Sequence, residues 1–404
     1  RNFLFESYVR VLEHYMPKIF VFENVTGLLS AKVNGKAIFP QIIEALGKHY
    51  NVVSDTDKIL FNSVCYGVPQ MRKRIILIGV RKDLNSCEAT DVYDSIQKTH
   101  FSPETPIEDR GKLKSYVDVR AALGDLPFVL PGQDASTPNF EYPCNNDFLK
   151  SIGKRGVYPL MDHICRKHNE TDRERFRVMI DNHWSFGEMR RRRPDLEHKN
   201  ARVFDNSYVV QWWDLPSKTI LAHIHKDGFQ FIHPDSKQAR SFTVREAARI
   251  QSFPDDFVFM GSRGEKYKQI GNAVPCLFAE ALAKGIKQIL NGIYYMFFKD
   301  INSIKTKADK SFQLELVSIY CKIVRQLTCK LAIPFTLESK ISKKIINELL
   351  DIGIISSKLQ IPDLEKQLGV LYNEFISSIA VYVENKRAFG NTLDKLYIKK
   401  REKL

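Results

Sequence analysis

Apolar positions at Phe3, Tyr8, Leu12 and Tyr15 fall near helical spacing, and Pro17 closes that helix. The continuous run Ile19-Phe20-Val21-Phe22 follows, the pattern of a strand buried on both faces of a parallel sheet. Ile42, Ile43 and Leu46 mark the inward side of a helix over Ile38 to Leu46, and a strand is expected near Val52 to Leu60. Tyr66-Gly67-Val68-Pro69 reads as a turn, after which Ile75 to Val80 repeats the fully buried pattern. The order helix, strand, helix, strand, turn, strand belongs to the second half of a doubly wound α/β sheet, with no first half in front of it.

From about Asp83 to Arg240 the apolar periodicity is poor, and Pro103, Pro106, Pro127, Pro131, Pro138 and Pro143 punctuate short segments. Such a loop-rich stretch is the kind that carries recognition surfaces. Helical pattern returns at Thr243 to Ile250, where Thr243 and Glu246 have the spacing of a capping box, and again after Pro275 through Phe278, Leu282 and Ile286. Beyond Met296 the chain is rich in Lys, Ile, Leu and Ser. There Leu364, Leu368, Leu371, Phe375, Ile379 and Tyr382 trace one helical face behind Asp363, a candidate N-cap. The expected organisation is an incomplete doubly wound (Rossmann-like) domain over residues 1–85, an irregular small recognition domain over 86–240, a return to the first domain over 241–295, and a helical C-terminal extension over 296–404.

Charge adds a class of partner. The 404 residues carry 61 Lys+Arg against 47 Asp+Glu, a formal net charge of +14, which favours a polyanion such as nucleic acid. The extension holds 19 basic against 12 acidic residues, half of that excess. The longest apolar run, Ile286 to Phe298, is interrupted by Lys287 and Asn291 and falls short of the ~20 residues of a membrane span, so no membrane partner is expected. Seven cysteines without CxxC spacing fit a reducing, cytoplasmic setting.

Several short segments carry candidate chemistry. Glu23-Asn24-Val25 stands at the carboxyl end of the first buried strand, where open α/β sheets place their sites. A carboxyl group held there against Phe20 and Phe22 would be desolvated and could stay protonated at neutral pH; the alternative is a capping or surface Glu. In Gln70-Met71-Arg72-Lys73-Arg74, strand alternation puts Gln70, Arg72 and Arg74 on one face, two planar donor forks suited to a phosphate or carbonyl oxygen. The alternative is a solvated basic edge strand. Gly271-Asn272-Ala273-Val274-Pro275 could present backbone N–H groups to a small ligand, or be an ordinary tight turn. His163, Cys165 and His168 have the wrong spacing for the usual zinc patterns, and no metal is expected.

In combination these segments are specific. The tripeptide at 23–25 with Gly27-Leu28-Leu29, then Tyr66 to Gln70 with Arg72 and Arg74, then Thr243 to Pro254, then Gln269 to Pro275, strongly resemble the later motifs of the DNA (cytosine-5)-methyltransferase family, in its order, over about Arg1 to Leu290. The resemblance implies that a flipped cytosine is attacked at C6 by a cysteine thiolate and methylated at C5 by S-adenosylmethionine, in duplex DNA and within a restriction-modification system. It gives Glu23 the role of acid at cytosine N3, Asn24 that of holding the catalytic loop, Arg74 a bond to cytosine O2, and Arg72 a supporting place. Asn272, Ala273 and Val274 match the segment touching the methionine end of the cofactor. Trp213 to Ile220 resembles an element of the family's recognition domains, so Thr219 is expected at a phosphate beside the flipped base. Lys218, Arg190 and Arg191, with the arginine run to Arg193 and His223-Ile224-His225-Lys226, are candidate DNA contacts, the run being equally a solvated loop.

Two family elements have no counterpart. The glycine-rich FxGxG cofactor loop is absent, and the Pro-Cys nucleophile loop should precede Glu23 in the chain; Pro143-Cys144-Asn145 lies inside the variable region and resembles it only superficially. The expectation is a downstream portion of a methyltransferase, either truncated or completed by a complementary subunit, that does not methylate DNA alone. Two other readings are a non-catalytic DNA-binding protein derived from a methyltransferase and an RNA cytosine methyltransferase.

Overall fold

The computed structural model describes residues 4–304, apart from 34, 85–87, 144, 154–155 and 198–205, with side chains as far as residue 290. The helical face expected between Leu364 and Tyr382 lies outside the described residues. Helix α1 (Leu4–Tyr15) ends at Met16, whose φ of 43° turns the chain into Pro17. Strand β1 (Ile19–Val25), helix α2 (Ile38–Leu46), and strands β2 (Tyr50–Val52), β3 (Leu60–Asn62), β4 (Gln70–Met71) and β5 (Lys73–Arg81) follow.

β5 is the centre of the sheet. β1 pairs with it along its whole length, from Ile19 opposite Val80 to Val25 opposite Arg74, while β2 and β3 pair with its other edge. All three pairings are antiparallel, which corrects the expectation that β1 is a parallel strand buried on both faces. β1 and β2 share one direction and β5 opposes them, an arrangement that doubly wound sheets accommodate. An apolar run reports burial but not direction. It also overstated burial in β1, where Phe20 is inside and Val21 is 37% exposed. In β5 both faces are covered, and Ile75 through Ile78 are fully buried, each contributing about 1.5–3 kcal/mol. The strand expected near Val52 to Leu60 is split by a helical turn at Thr56–Ile59, because the Asp55 carboxylate accepts the Asp57 N–H and caps it.

The proline-punctuated region contains short regular elements. Strands β6 (Thr137–Tyr142) and β7 (Gly156–Leu160) form a hairpin, and helices Glu170–Asp181 and Phe186–Arg192 are capped by Asn169 and Ser185. A local core forms around Phe176, Met179, Phe186 and Met189, with Tyr208 stacked between Phe186 and Phe229 at 4.4 and 4.6 Å. Strand β8 (Ser217–Lys218) then returns to β4 in parallel register.

Helix Val244–Ile250 carries the expected capping box between Thr243 and Glu246. Glu246 also takes both terminal nitrogens of Arg240 at 2.7 Å, and Arg249 is clamped between Asp125 and Asp255. Helices Arg263–Asn272 and Cys276–Ile304 complete the described chain. At the end of the former, Gly271 lies against main chain: a Cβ there would stand 2.3 Å from the Ala222 amide nitrogen. Among the described residues no helix is long and apolar enough to cross a membrane.

Two measurements test this packing. Gly271→Ala forces one backbone against another and is expected to lower the unfolding free energy by about 1–3 kcal/mol or more in urea titration; an unchanged midpoint would show that the contact can relax. The second concerns His163 and His168. Burial pushes both rings down, His168 to about 4, while His163 bonds Thr243 and the Pro127 carbonyl and His168 bonds Ser241. Below the ordinary value of 6.5 the unfolded chain binds protons that the folded rings refuse, so stability is full above that pH and is lost as pH falls toward 4. Between pH 6.5 and 5 the expected loss is about 1.4 kcal/mol per pH unit for His168, to which His163 adds in the same direction, and a flat profile there would contradict it.

Candidate active site

The Gln70 to Arg74 segment shows the alternation its sequence predicts. Gln70, Arg72 and Arg74 are buried, Met71 is half-buried, and Lys73 points out to pair with Glu104 at 2.8 Å. A solvated basic edge is therefore excluded for the Gln-Arg-Arg face.

Arg74 reaches across the sheet. Its Nε lies 2.9 Å from Glu23 Oε1, and its Nη1 donates to the Lys73 carbonyl at 2.8 Å. Glu23 stands opposite Ile76 while Arg74 stands opposite Val25, so the two meet as a diagonal cross-strand pair. This corrects the expected surroundings of Glu23. Phe20 and Phe22 alternate to the other face of β1, and Glu23 shares its face with the exposed Val21 and Val25. The carboxylate meets a guanidinium and solvent instead of phenyl rings. Asn24 accepts the Val25 N–H through its own Oδ1 at 2.8 Å.

Arg72 is more deeply enclosed. Its Nη1 donates to the Ile220 carbonyl at 3.0 Å and its Nη2 to the Gly271 carbonyl at 3.4 Å, while its Nε is buried without a hydrogen-bond partner. Burial first, and then the charge of Arg74, push its guanidinium down to about 10, with Glu23 opposing that shift.

Three remote segments converge on this strand. β8 lies beside β4 with Ser217 opposite Gln70 and Lys218 opposite Met71, and the Thr219 hydroxyl donates to the Met71 carbonyl at 2.6 Å. That proton is committed to the main chain, whereas Lys218 beside it is exposed. Ile220 donates its N–H to Gln70 Oε1 at 2.8 Å. Gln70 Nε2 donates to Gln251 Oε1 at 2.9 Å, and Gln251 Nε2 donates to the carbonyls of Ile270 at 2.6 Å and Ala273 at 3.3 Å. The Gln251 carbonyl and the Ser252 hydroxyl oxygen then accept the N–H groups of Cys276 and Leu277. Asn272 is left exposed, with Ala273 and Val274 half-buried. Sequence reasoning placed Gln70 on the correct face but gave neither glutamine a role. The available signal was an uncharged amide alternating with two arginines.

The remaining candidates lie elsewhere. Arg190 pairs with Glu197 at 2.9 Å, Arg191 is exposed, Arg192 stacks over Trp184 and Arg193 pairs with Asp195, on or just past a helix that packs into the separate core around Phe176. His223 and His225 belong to the helical turn Ala222–His225. Burial pushes the thiols of Cys65, Cys165 and Cys276 up, Cys165 to about 11, so none of these three is an activated thiolate.

The model of the C-5 cytosine-specific DNA methylase family matches residues 1–288. The type II methyltransferase M.Bpa9945I of Bacillus paralicheniformis is 37% identical over 311 residues, covering 72% of this chain and 65% of that relative. The type II methyltransferase M.DdeI of Desulfomicrobium norvegicum is 31% identical over 330 residues, covering 78% of this chain and 74% of the relative. A crystal structure of a prophage-encoded DNA modification methyltransferase (E. coli) has a TM-score of 0.50 at 23% identity, over 72% of this chain and 74% of that one, which supports the Rossmann-like methyltransferase fold. This chain belongs to the C-5 cytosine-specific DNA methylase family.

Proposed function

We propose that this chain forms the base pocket and the DNA-recognition side of a cytosine-5 methyltransferase that acts on duplex DNA in a cytoplasmic restriction-modification system. The observation that carries the reading is the Glu23–Arg74 pair, with Arg72 and the Thr219–Ile220 and Gly271–Val274 segments bonded around it. The type II designation of the relatives supports the biological setting.

A cytosine turned out of the duplex would meet this pair edge on. The carbonyl O2 suits the donor fork of Arg74, and N3 suits the carboxyl group of Glu23 once one of the two carries the proton. Attack at C6 pushes electron density onto N3, and a proton shared between Glu23 and N3 relieves it, which is general acid catalysis. The Arg74 Nε then remains hydrogen-bonded to Glu23 and keeps the carboxyl plane aligned with the ring edge. Extruding the base costs a few kcal/mol, and phosphate contacts from exposed Lys218 and from Arg190 and Arg191 would help to offset it, while Thr219 keeps its segment bonded to the Met71 carbonyl.

S-adenosylmethionine, when bound, supplies an electrophilic methyl group. Asn272, Ala273 and Val274 would hold its methionine end, and an exposed amide beside two half-buried apolar residues suits a polar head on an aliphatic chain. The chain contains no FxGxG loop, and its described cysteines are held as thiols. We therefore assign the attacking thiolate and the main cofactor loop to sequence outside the described residues, in a longer polypeptide or a complementary subunit.

The test is transfer of a labelled methyl group to duplex DNA. The purified chain alone is expected to show none. Adding a separately produced segment that carries the family's Pro-Cys and glycine-loop motifs is expected to restore transfer. Glu23→Gln should lower the restored rate by about 10²- to 10⁴-fold while duplex binding, measured by mobility shift, persists. Transfer by the unaided chain would contradict the assignment of the thiolate, and full activity of Glu23→Gln would contradict the acid.

A further inference from the structure

The two glutamines bonded behind the pocket form a directed chain. Gln70 and Gln251 are both fully buried. At one end stands the Ile220 N–H, which can only donate, so Gln70 Oε1 must face it. Gln70 Nε2 must then point away, to Gln251 Oε1 and to the Ile250 carbonyl at 3.2 Å. That in turn directs Gln251 Nε2 to the Ile270 and Ala273 carbonyls, which can only accept. Each amide nitrogen meets two acceptors, and neither glutamine can rotate without opposing like groups at both ends.

Arg72 runs alongside as a second tether. It holds the carbonyl of the same Ile220 residue and the carbonyl of Gly271. The Ile220 residue is thus gripped at its N–H and its C=O, and the 270–273 helix end at three carbonyls, by the side chains of Gln70, Arg72 and Gln251. Gly271 lets the Leu221–Ala222 main chain rest directly on that helix end.

We propose that Gln70 and Gln251 are positioning residues that transmit duplex engagement at Lys218–Thr219 to the Gly271–Val274 segment. When a phosphate at Lys218 steadies the 217–220 segment, the fixed polarity of the chain carries that ordering to the helix end that would hold the methyl donor. The inference rests on the function proposed above, since it takes Lys218 and Thr219 as the DNA side and residues 272–274 as the cofactor side.

Hydrogen exchange on the full chain tests it, with a mixed-sequence pool of duplex oligonucleotides as the probe. In the wild type, duplex is expected to slow exchange both at 217–222 and at 270–276, by about fivefold or more at the latter, the lower end of ordinary coupling between sites. Gln251→Met leaves the Gln70–Ile220 bond in place, so slowing at 217–222 and duplex affinity should persist while slowing at 270–276 disappears. A merely structural role would loosen both segments together. Slowing at 270–276 that survives in Gln251→Met would overturn the relay. So would wild-type slowing confined to 217–222, an outcome that needs no variant to fold. Absence of duplex binding by the wild type would overturn the functional reading as well as the relay, and shows first as an unshifted band.

Discussion

The arrangement depends on one constraint: the polar face of the Gln70–Arg74 segment is buried, so its donors and acceptors must be met by protein. A buried amide or guanidinium left unpaired costs about 1–3 kcal/mol or more, so the fold is selected to supply partners. They come from main chain at Ile220, Ile250 and Gly271 and from the side chain of Gln251, whose own amide nitrogen is met by the Ile270 and Ala273 carbonyls, all remote in sequence. Meeting that demand draws the 217–220 segment, the end of helix Val244–Ile250 and the Gly-Asn-Ala-Val-Pro segment to a single place. Arg74, at the rim of the same face, is the member left to engage Glu23.

The pocket and the scaffold behind it are therefore made of similar groups in different environments. Arg72, buried and bonded to two carbonyls, fixes main chain. Arg74, two residues on, keeps its Nε on a carboxylate that is 31% exposed and accessible to a ligand. On the proposed function, a base entering there would meet groups already oriented by the sheet, so little ordering would remain to oppose binding. The net charge of +14 gives the molecule a long-range attraction for a duplex, but the geometry near Glu23 and Arg74 is what would distinguish a cytosine edge from any other polyanion.

Much of this was legible in the residues. Alternation in Gln70-Met71-Arg72-Lys73-Arg74 put the three polar residues on one face without showing that face to be buried, Thr243 and Glu246 gave the capping box, and the run from Ile75 to Val80 gave a fully buried strand. Strand direction was not legible, because an apolar run looks the same in either direction, and β1 is antiparallel to β5. The neighbours of Glu23 were misplaced by reading adjacency along the chain as adjacency in space, although strand residues next to each other point to opposite faces. Between Asp83 and Arg240 the elements are too short for a period to register, even though stacked Phe186, Tyr208 and Phe229 centre a local core. The glutamine chain left little trace beyond an uncharged amide alternating with two arginines, since apart from the Gln70–Gln251 bond its partners are main-chain atoms, which any residue type carries.

The central claim is that Gln70 and Gln251 act as one connected unit in holding these segments together. A double-mutant cycle on unfolding free energies, with Gln70→Met, Gln251→Met and the pair, measures that connection directly. The account predicts an interaction energy of about 1 kcal/mol or more, with the second substitution costing less once the first is made. Additivity within about 0.5 kcal/mol would contradict it.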